Sequence, residues 1–139
     1  MASTFEFIVV TPERQIREGP AEMIVVRGAE GDLGILPRHI PLVTPIKPSV
    51  LEVRAPGGRE RYAITGGFLE VRGDQVNVLA RTAERPDEID AGRAEAARKR
   101  AEERLEEHRA DLDIVRAELA LQRAVVRLQV AEEARKSTV

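Results

Sequence analysis

Four arginines in the last third of the chain, Arg93, Arg100, Arg123 and Arg127, are the residues whose type and spacing could do chemistry. On a helix, the neighbours three and four positions from Arg123 are Leu119, Ala120, Val126 and Arg127, and those of Arg127 are Arg123, Ala124, Val130 and Ala131. Neither has an acid within that reach, and like charges four residues apart repel by roughly 0.2–0.5 kcal/mol. Arg93 and Arg100 lie two turns apart on one face of a preceding helix, with Asp90 one turn before Arg93. If the two helices run antiparallel, the four guanidinium groups converge on a cationic cleft with one acid at its edge, which an anion would relieve. The competing reading is four solvated arginines on a highly charged surface. Spacing leaves both open.

Other chemistry is sparse. There is no cysteine, hence no thiolate nucleophile and no zinc site of the cysteine type, and the two isolated histidines, His39 and His108, cannot make a histidine-rich metal site. His39 stands in Leu36-Pro37-Arg38-His39-Ile40-Pro41, a proline-bracketed loop without a serine or carboxylate in useful proximity, which favours a structural or interface histidine over a general base. Gly28, Gly31 and Gly34 imitate a phosphate loop, but no Gly-Lys-Ser/Thr follows and no helix starts after them, so they read as tight turns. The formal net charge of -2 gives no global attraction to nucleic acid. Without an apolar run near the length of a membrane span, and without a secretory-type leader, the expectation is a soluble intracellular protein.

The elements that must position these residues divide sharply. All eight prolines, all four aromatic residues and nine of the ten glycines fall within residues 1–86, whereas residues 87–139 carry 11 basic and 13 acidic side chains. The boundary falls at Arg85-Pro86-Asp87. Before it, β-forming runs over 5–11, 21–27, 34–36, 42–46, 50–54, 60–65, 68–72 and 75–81 alternate with turns such as Pro56-Gly57-Gly58, Gly66-Gly67 and Gly73-Asp74. They predict an all-β sandwich or flattened barrel. After it, alanine, glutamate, arginine and leucine predict two helices joined near His108 to Asp111, with Asp87 or Asp90 capping the first. The fold class is therefore α+β: an N-terminal sandwich followed by an antiparallel two-helix hairpin.

The helices are unequal. The first offers Ala94, Ala97, Ala101 and Leu105 on one stripe, a face that gains little from burial. The second carries Ile114, Ala117, Leu121, Ala124, Leu128 and Ala131, flanked by Leu112, Val115, Leu119, Val126 and Val130. That face is too wide for one alanine-rich partner, so it should also pack on the sandwich or on another protein. A helix held by a small margin can undock.

The segment Gly31-Asp32-Leu33-Gly34-Ile35-Leu36-Pro37-Arg38-His39-Ile40-Pro41-Leu42, with Ile46-Lys47-Pro48, Gly66-Gly67-Phe68-Leu69-Glu70-Val71 and Val78-Leu79-Ala80, resembles the ε subunits of bacterial F-type ATP synthases. The resemblance spans essentially the whole chain. Arg38 departs from it, since a small or amide residue is usual there. It implies a non-catalytic central-stalk subunit whose sandwich binds the γ subunit and the c-ring, with Asp32 in a ring-facing loop and His39 near the rotor contacts. The complex would hold it peripherally at the cytoplasmic face of the membrane. It also implies a hairpin that extends toward the α and β subunits to oppose ATP hydrolysis.

A narrower resemblance concerns Ile89-Asp90-Ala91-Gly92-Arg93-Ala94, similar to the motif by which some of these subunits bind ATP as a regulatory ligand, without a required metal. Matched residue by residue, it implies a site of Glu84, Ile89, Asp90, Arg93, Ala94, Arg100, Arg123 and Arg127. Gly92 departs from the usual apolar residue and costs about 1 kcal/mol relative to alanine in a helix. The alternatives are a purely structural stalk clamp that senses no nucleotide, and a free-standing enzyme using His39.

Overall fold

The computed structural model describes residues 3–107 and 111–137, so His108 and most of the expected turn between the helices lie outside it. Ten strands form one sheet: β1 (Phe5–Val10), β2 (Gln15–Ala21), β3 (Met23–Gly28), β4 (Gly31–Ile35), β5 (Leu42–Ile46), β6 (Ser49–Ala55), β7 (Gly58–Ile64), β8 (Gly67–Arg72), β9 (Gln75–Ala80) and β10 (Ala83–Glu84). The hydrogen-bonded order is β10-β7-β6-β3-β5-β8-β9-β1-β2, with β4 added to β3. Neighbours are antiparallel except β1 and β9. Alternation sorts the faces: β1 buries Phe5, Phe7 and Val9, while β9 buries Val76, Val78 and Ala80. With Ile24, Ile35, Leu51, Ile64 and Leu69 they fill one continuous core.

The curled sheet nearly closes, and side chains span the remaining gap between β2 and β7. Arg17 of β2 donates to Glu60 of β7 at 2.8 Å and to the carbonyls of Phe7, Gly19 and Pro20 at 2.9, 2.7 and 2.8 Å. Its guanidinium lies 5.4 Å from the Phe7 ring centroid. Only 8% of the side chain is exposed, which a cation tolerates because every one of these bonds offsets lost hydration. Burial alone would raise the Glu60 carboxyl, but hydrogen bonds from Arg17 and Tyr62 hold it below the ordinary value. Tyr62 moves up to about 12, first through burial and then through Glu60.

β2 was not among the strands read from the sequence. It contains Gly19-Pro20 and buries only Ile16 and Ala21, a weak pattern that edge pairing to β1 completes and that proline tolerates only at an edge. β4 begins at Gly31, three residues before the expected start, so Asp32 belongs to a strand rather than a loop. Gly67 turns the chain into β8 at φ 138, where a Cβ would stand 2.1 Å from the Leu79 carbonyl oxygen, so no other residue fits.

Arg85 leaves the sheet and donates to the Ile16 carbonyl at 2.5 Å, and a short 3-10 turn over Pro86–Glu88 follows. Glu88 pairs with Arg14, so the linker is fastened to β2 and the turn preceding it. Helix α1 (Ala91–Glu106) starts on Asp90, which accepts from the Arg93 amide at 3.0 Å; α2 covers Asp111–Ser137. The hairpin buries Ala94 and Ala101 of α1 and Ala117 and Ala124 of α2, while Ala97 and Leu105 are half-buried. As the width of its apolar face requires, α2 also packs on the sheet: Val126 and Val130 meet Ala63, with Val50 and Ile89 at the margin.

Candidate functional site

The antiparallel hairpin brings all four arginines to one place. A cleft of about 370 Å³ between α1, α2 and the end of the sheet is lined by Arg93, Ala94, Ala97 and Arg100 of α1 and by Ala120, Arg123, Ala124 and Arg127 of α2. Glu84 of β10, Glu88 of the linker and Asp90 complete the wall. Small-molecule sites typically occupy roughly 300–1,000 Å³, so the space admits a compact ligand. The alanines keep its floor open.

Its charges are unevenly matched. Arg127 donates to Glu84 at 2.6 Å, the long-range partner that helical spacing could not supply. Arg93, Arg100 and Arg123 have no acidic partner among the described residues, although the Arg93 backbone amide is engaged by Asp90. Glu88 stays ionised, but its charge is answered by Arg14 and Arg85. The Arg85 backbone amide, followed by the Arg14 side chain, holds its carboxyl below the usual range. The cleft is therefore a net cationic pocket with one carboxylate already spent on Arg127, suited to an anion carrying several negative oxygens.

Of the eight residues matched to the nucleotide motif, seven line this cleft. Ile89 is the exception: it packs against the cluster of Ala63, Val126 and Val130, helping to seat α2 on the sheet. Glu88, absent from that set, joins the lining because the 3-10 turn projects it there; the acidic residue so close to the helix start was its signal. A larger cavity lies elsewhere, about 810 Å³ between β2, the β6-β7 hairpin and the linker, but its most buried cation, Arg17, is fully used in closing the sheet.

Asp32 and His39 sit apart from the cleft. Asp32 is at the β3-β4 tip, 3.4 Å from Arg27, and His39 Nδ1 lies 2.8 Å from the Ile40 carbonyl in the β4-β5 loop. Arg38 beside it adopts φ 65, a left-handed backbone that glycine and asparagine occupy more easily.

Near this loop lies a surface that sequence reading did not isolate. Pro45, Phe68, Leu79 and Val10 stand opposite one another in successive registers across β5, β8, β9 and β1. Phe68 and Leu79 are 52% and 46% exposed, and Val43, two residues before Pro45 on the same face of β5, is 70% exposed. An exposed apolar row of this kind is a candidate contact surface. Only the strand register shows that residues so far apart in sequence form one patch.

Two family models match the chain: the ATP synthase delta/epsilon chain beta-sandwich domain over residues 4–86 and the delta/epsilon chain long alpha-helix domain over residues 87–132. Among similar proteins, the ATP synthase epsilon chain of Brevibacillus brevis is 55% identical over 125 residues, covering 89% of this chain and 95% of that one. The epsilon chain of Bacillus subtilis is 51% identical over 128 residues, covering 92% and 97%. Among solved structures, a chain of the Euglena gracilis mitochondrial ATP synthase, determined as an OSCP, F1 and c-ring assembly, superposes with a TM-score of 0.79 at 26% identity, covering 92% of this chain and 81% of that one. A chain from the Tetrahymena thermophila central stalk and c-ring shares the fold, with a TM-score of 0.52 at 18% identity over 93% of this chain and 94% of that one.

Proposed function

The chain belongs to the ATP synthase delta/epsilon family as an epsilon subunit of the F-type enzyme, and from that premise we propose that its two parts divide attachment from control. The sandwich, residues 1–86, holds the subunit in the central stalk. The apolar row through Phe68 and Leu79 supports a seat for the γ subunit, and Asp32 at the β3-β4 tip supports a contact to the c-ring. The hairpin, residues 87–139, is the regulatory part: docked on the sheet it leaves hydrolysis free, and extended toward the α and β subunits it opposes it. The subunit is non-catalytic and lies at the cytoplasmic face of the membrane through its complex; no helix among the described residues is long and apolar enough to cross one.

ATP is the ligand of the cleft. The observation that carries this reading is the convergence of Arg93, Arg100, Arg123 and Arg127 on one pocket in which, among the described residues, Arg127 alone has a carboxylate partner. Bound phosphates would neutralise these arginines across both helices and hold the hairpin closed. Glu84 and Asp90 would orient the ribose, the base or an arginine. Calorimetric titration of the full chain with ATP tests this. Arg123→Ala should weaken binding roughly tenfold or more, the scale of one charge-assisted hydrogen bond. No heat at millimolar ATP would remove the sensor. Truncation after residue 86 should raise hydrolysis by the assembled complex, and an unaltered rate would remove the inhibitory role.

One observation favours the second reading, a structural clamp that ignores nucleotide. The Arg127–Glu84 pair and the contacts of Val126 and Val130 with Ala63 fasten α2 to the sheet through protein groups alone. The same titration separates the two.

A further inference from the structure

Arg61, on β7, is shared between two carboxylates. Glu52, its cross-strand partner on β6, lies 3.1 Å away, and Glu133 of α2 pairs with the other terminal nitrogen. These side chains are 30–49% exposed, so the cluster is partly shielded but not sealed. At about 100° of rotation per residue, Glu133 and Arg127 fall on opposite flanks of the Val126 and Val130 stripe that faces the sheet. An ion pair therefore borders each side of the docked helix.

The two pairs differ in what else can reach them. Arg127–Glu84 lies inside the cleft, where an incoming anion draws on the same guanidinium. Arg61–Glu133 lies outside that lining and is independent of any ligand there. We infer that Arg61 is a ligand-independent clasp of the hairpin, and that Glu52 is the carboxylate to which it falls back when α2 leaves. Release then strands no cation, so the clasp opens and recloses readily. The inference rests on the movable hairpin proposed above, but not on ATP binding.

Glu52 and Glu133 hold different nitrogens of one guanidinium and repel each other across it, so removing them has opposite effects. Loss of Glu133 deprives the docked state of its contact. Loss of Glu52 removes a partner that Arg61 holds whether or not α2 is docked, and with it the repulsion between Glu52 and Glu133 that exists in the docked state alone, and so favours docking. The test is hydrogen exchange at residues 123–133 of the full chain without nucleotide, with β1 and β9 amides as the reference for global opening. Glu133→Gln should speed α2 exchange roughly two- to fivefold, the scale of a partly exposed ion pair, and Glu52→Gln should slow it. Near 1 M salt, where screening acts within about 3 Å, both differences should shrink toward zero. Equal signs for the two variants, or locally opening α2 amides that neither variant moves, overturn the clasp alone. Exchange of α2 only at the rate of the sheet core overturns the movable hairpin and the clasp with it.

Discussion

The sandwich and the hairpin bury residues of different kinds. The sheet encloses Phe7, Ile24, Leu51, Ile64 and Leu69, large side chains in contact with several strands at once. The hairpin encloses mainly alanines and rests on the sheet through Val126, Val130 and two bordering ion pairs. Burial free energy scales with apolar area, so the first part is held by a dense core and the second by a thin seam. That contrast suits the proposed division, in which the attaching part is rigid and the regulating part lies within a few kcal/mol of its alternative.

The largest test of this contrast is Phe7→Ala, which should destabilise the whole chain by about 3–5 kcal/mol and lower its unfolding midpoint. A small effect would mean the sandwich is no firmer than the hairpin. Next is the alkaline limb of stability. Tyr62 titrates near 10 when unfolded and at about 12 when folded, so its contribution is intact below pH 10 and is lost as pH rises from there toward 12. Glu60, depressed when folded, contributes above the ordinary carboxylate range and loses that contribution as pH falls through its lowered value. Denaturant midpoints of wild type and Tyr62→Phe should differ at pH 8 and converge toward pH 11.5, as the wild type loses the contribution that the variant lacks from the start.

Val130→Ala removes about two buried carbon groups and should cost roughly 1.5–2 kcal/mol. The loss should appear as weaker protection of α2 amides with β1 and β9 unchanged; equal loss in both parts would show that they open as one unit. The smallest effect is Gly92→Ala. A Cβ there meets nothing closer than the Asp90 carboxylate at 3.4 Å, so the change should stabilise the first turn of α1 by at most about 1 kcal/mol. Modestly tighter ATP binding would accompany it, and weaker binding would mean that the glycine serves the ligand directly.

Legibility in the sequence followed the range of the interactions. The alanine stripe, the Asp90 cap and most strands were readable because each is encoded by period or by residues within one turn. β2 was not, since Gly19-Pro20 and a pattern that buries Ile16 and Ala21 alone give it little signal of its own, and the Arg17–Glu60 closure links segments 43 residues apart. Within the cleft, four arginines could be flagged as short of local acids, but Glu84 as the partner of Arg127 depended on where β10 ends. Ile89 was matched with the ligand site and lies instead against Ala63 and α2, because the turn over Pro86–Glu88 directs it to the sheet.

The chain's own pattern determined its α+β class, the change of material at Arg85-Pro86-Asp87 and the excess of cation on the two helices, because composition and periodicity act locally. Tertiary structure alone decided which arginine is already neutralised, that Arg61 faces α2, and that Phe68 and Leu79 share one exposed row with Val10 and Pro45. Those outcomes depend on strand register and helix placement, where a single step moves a charged group out of reach or an apolar one to the opposite face.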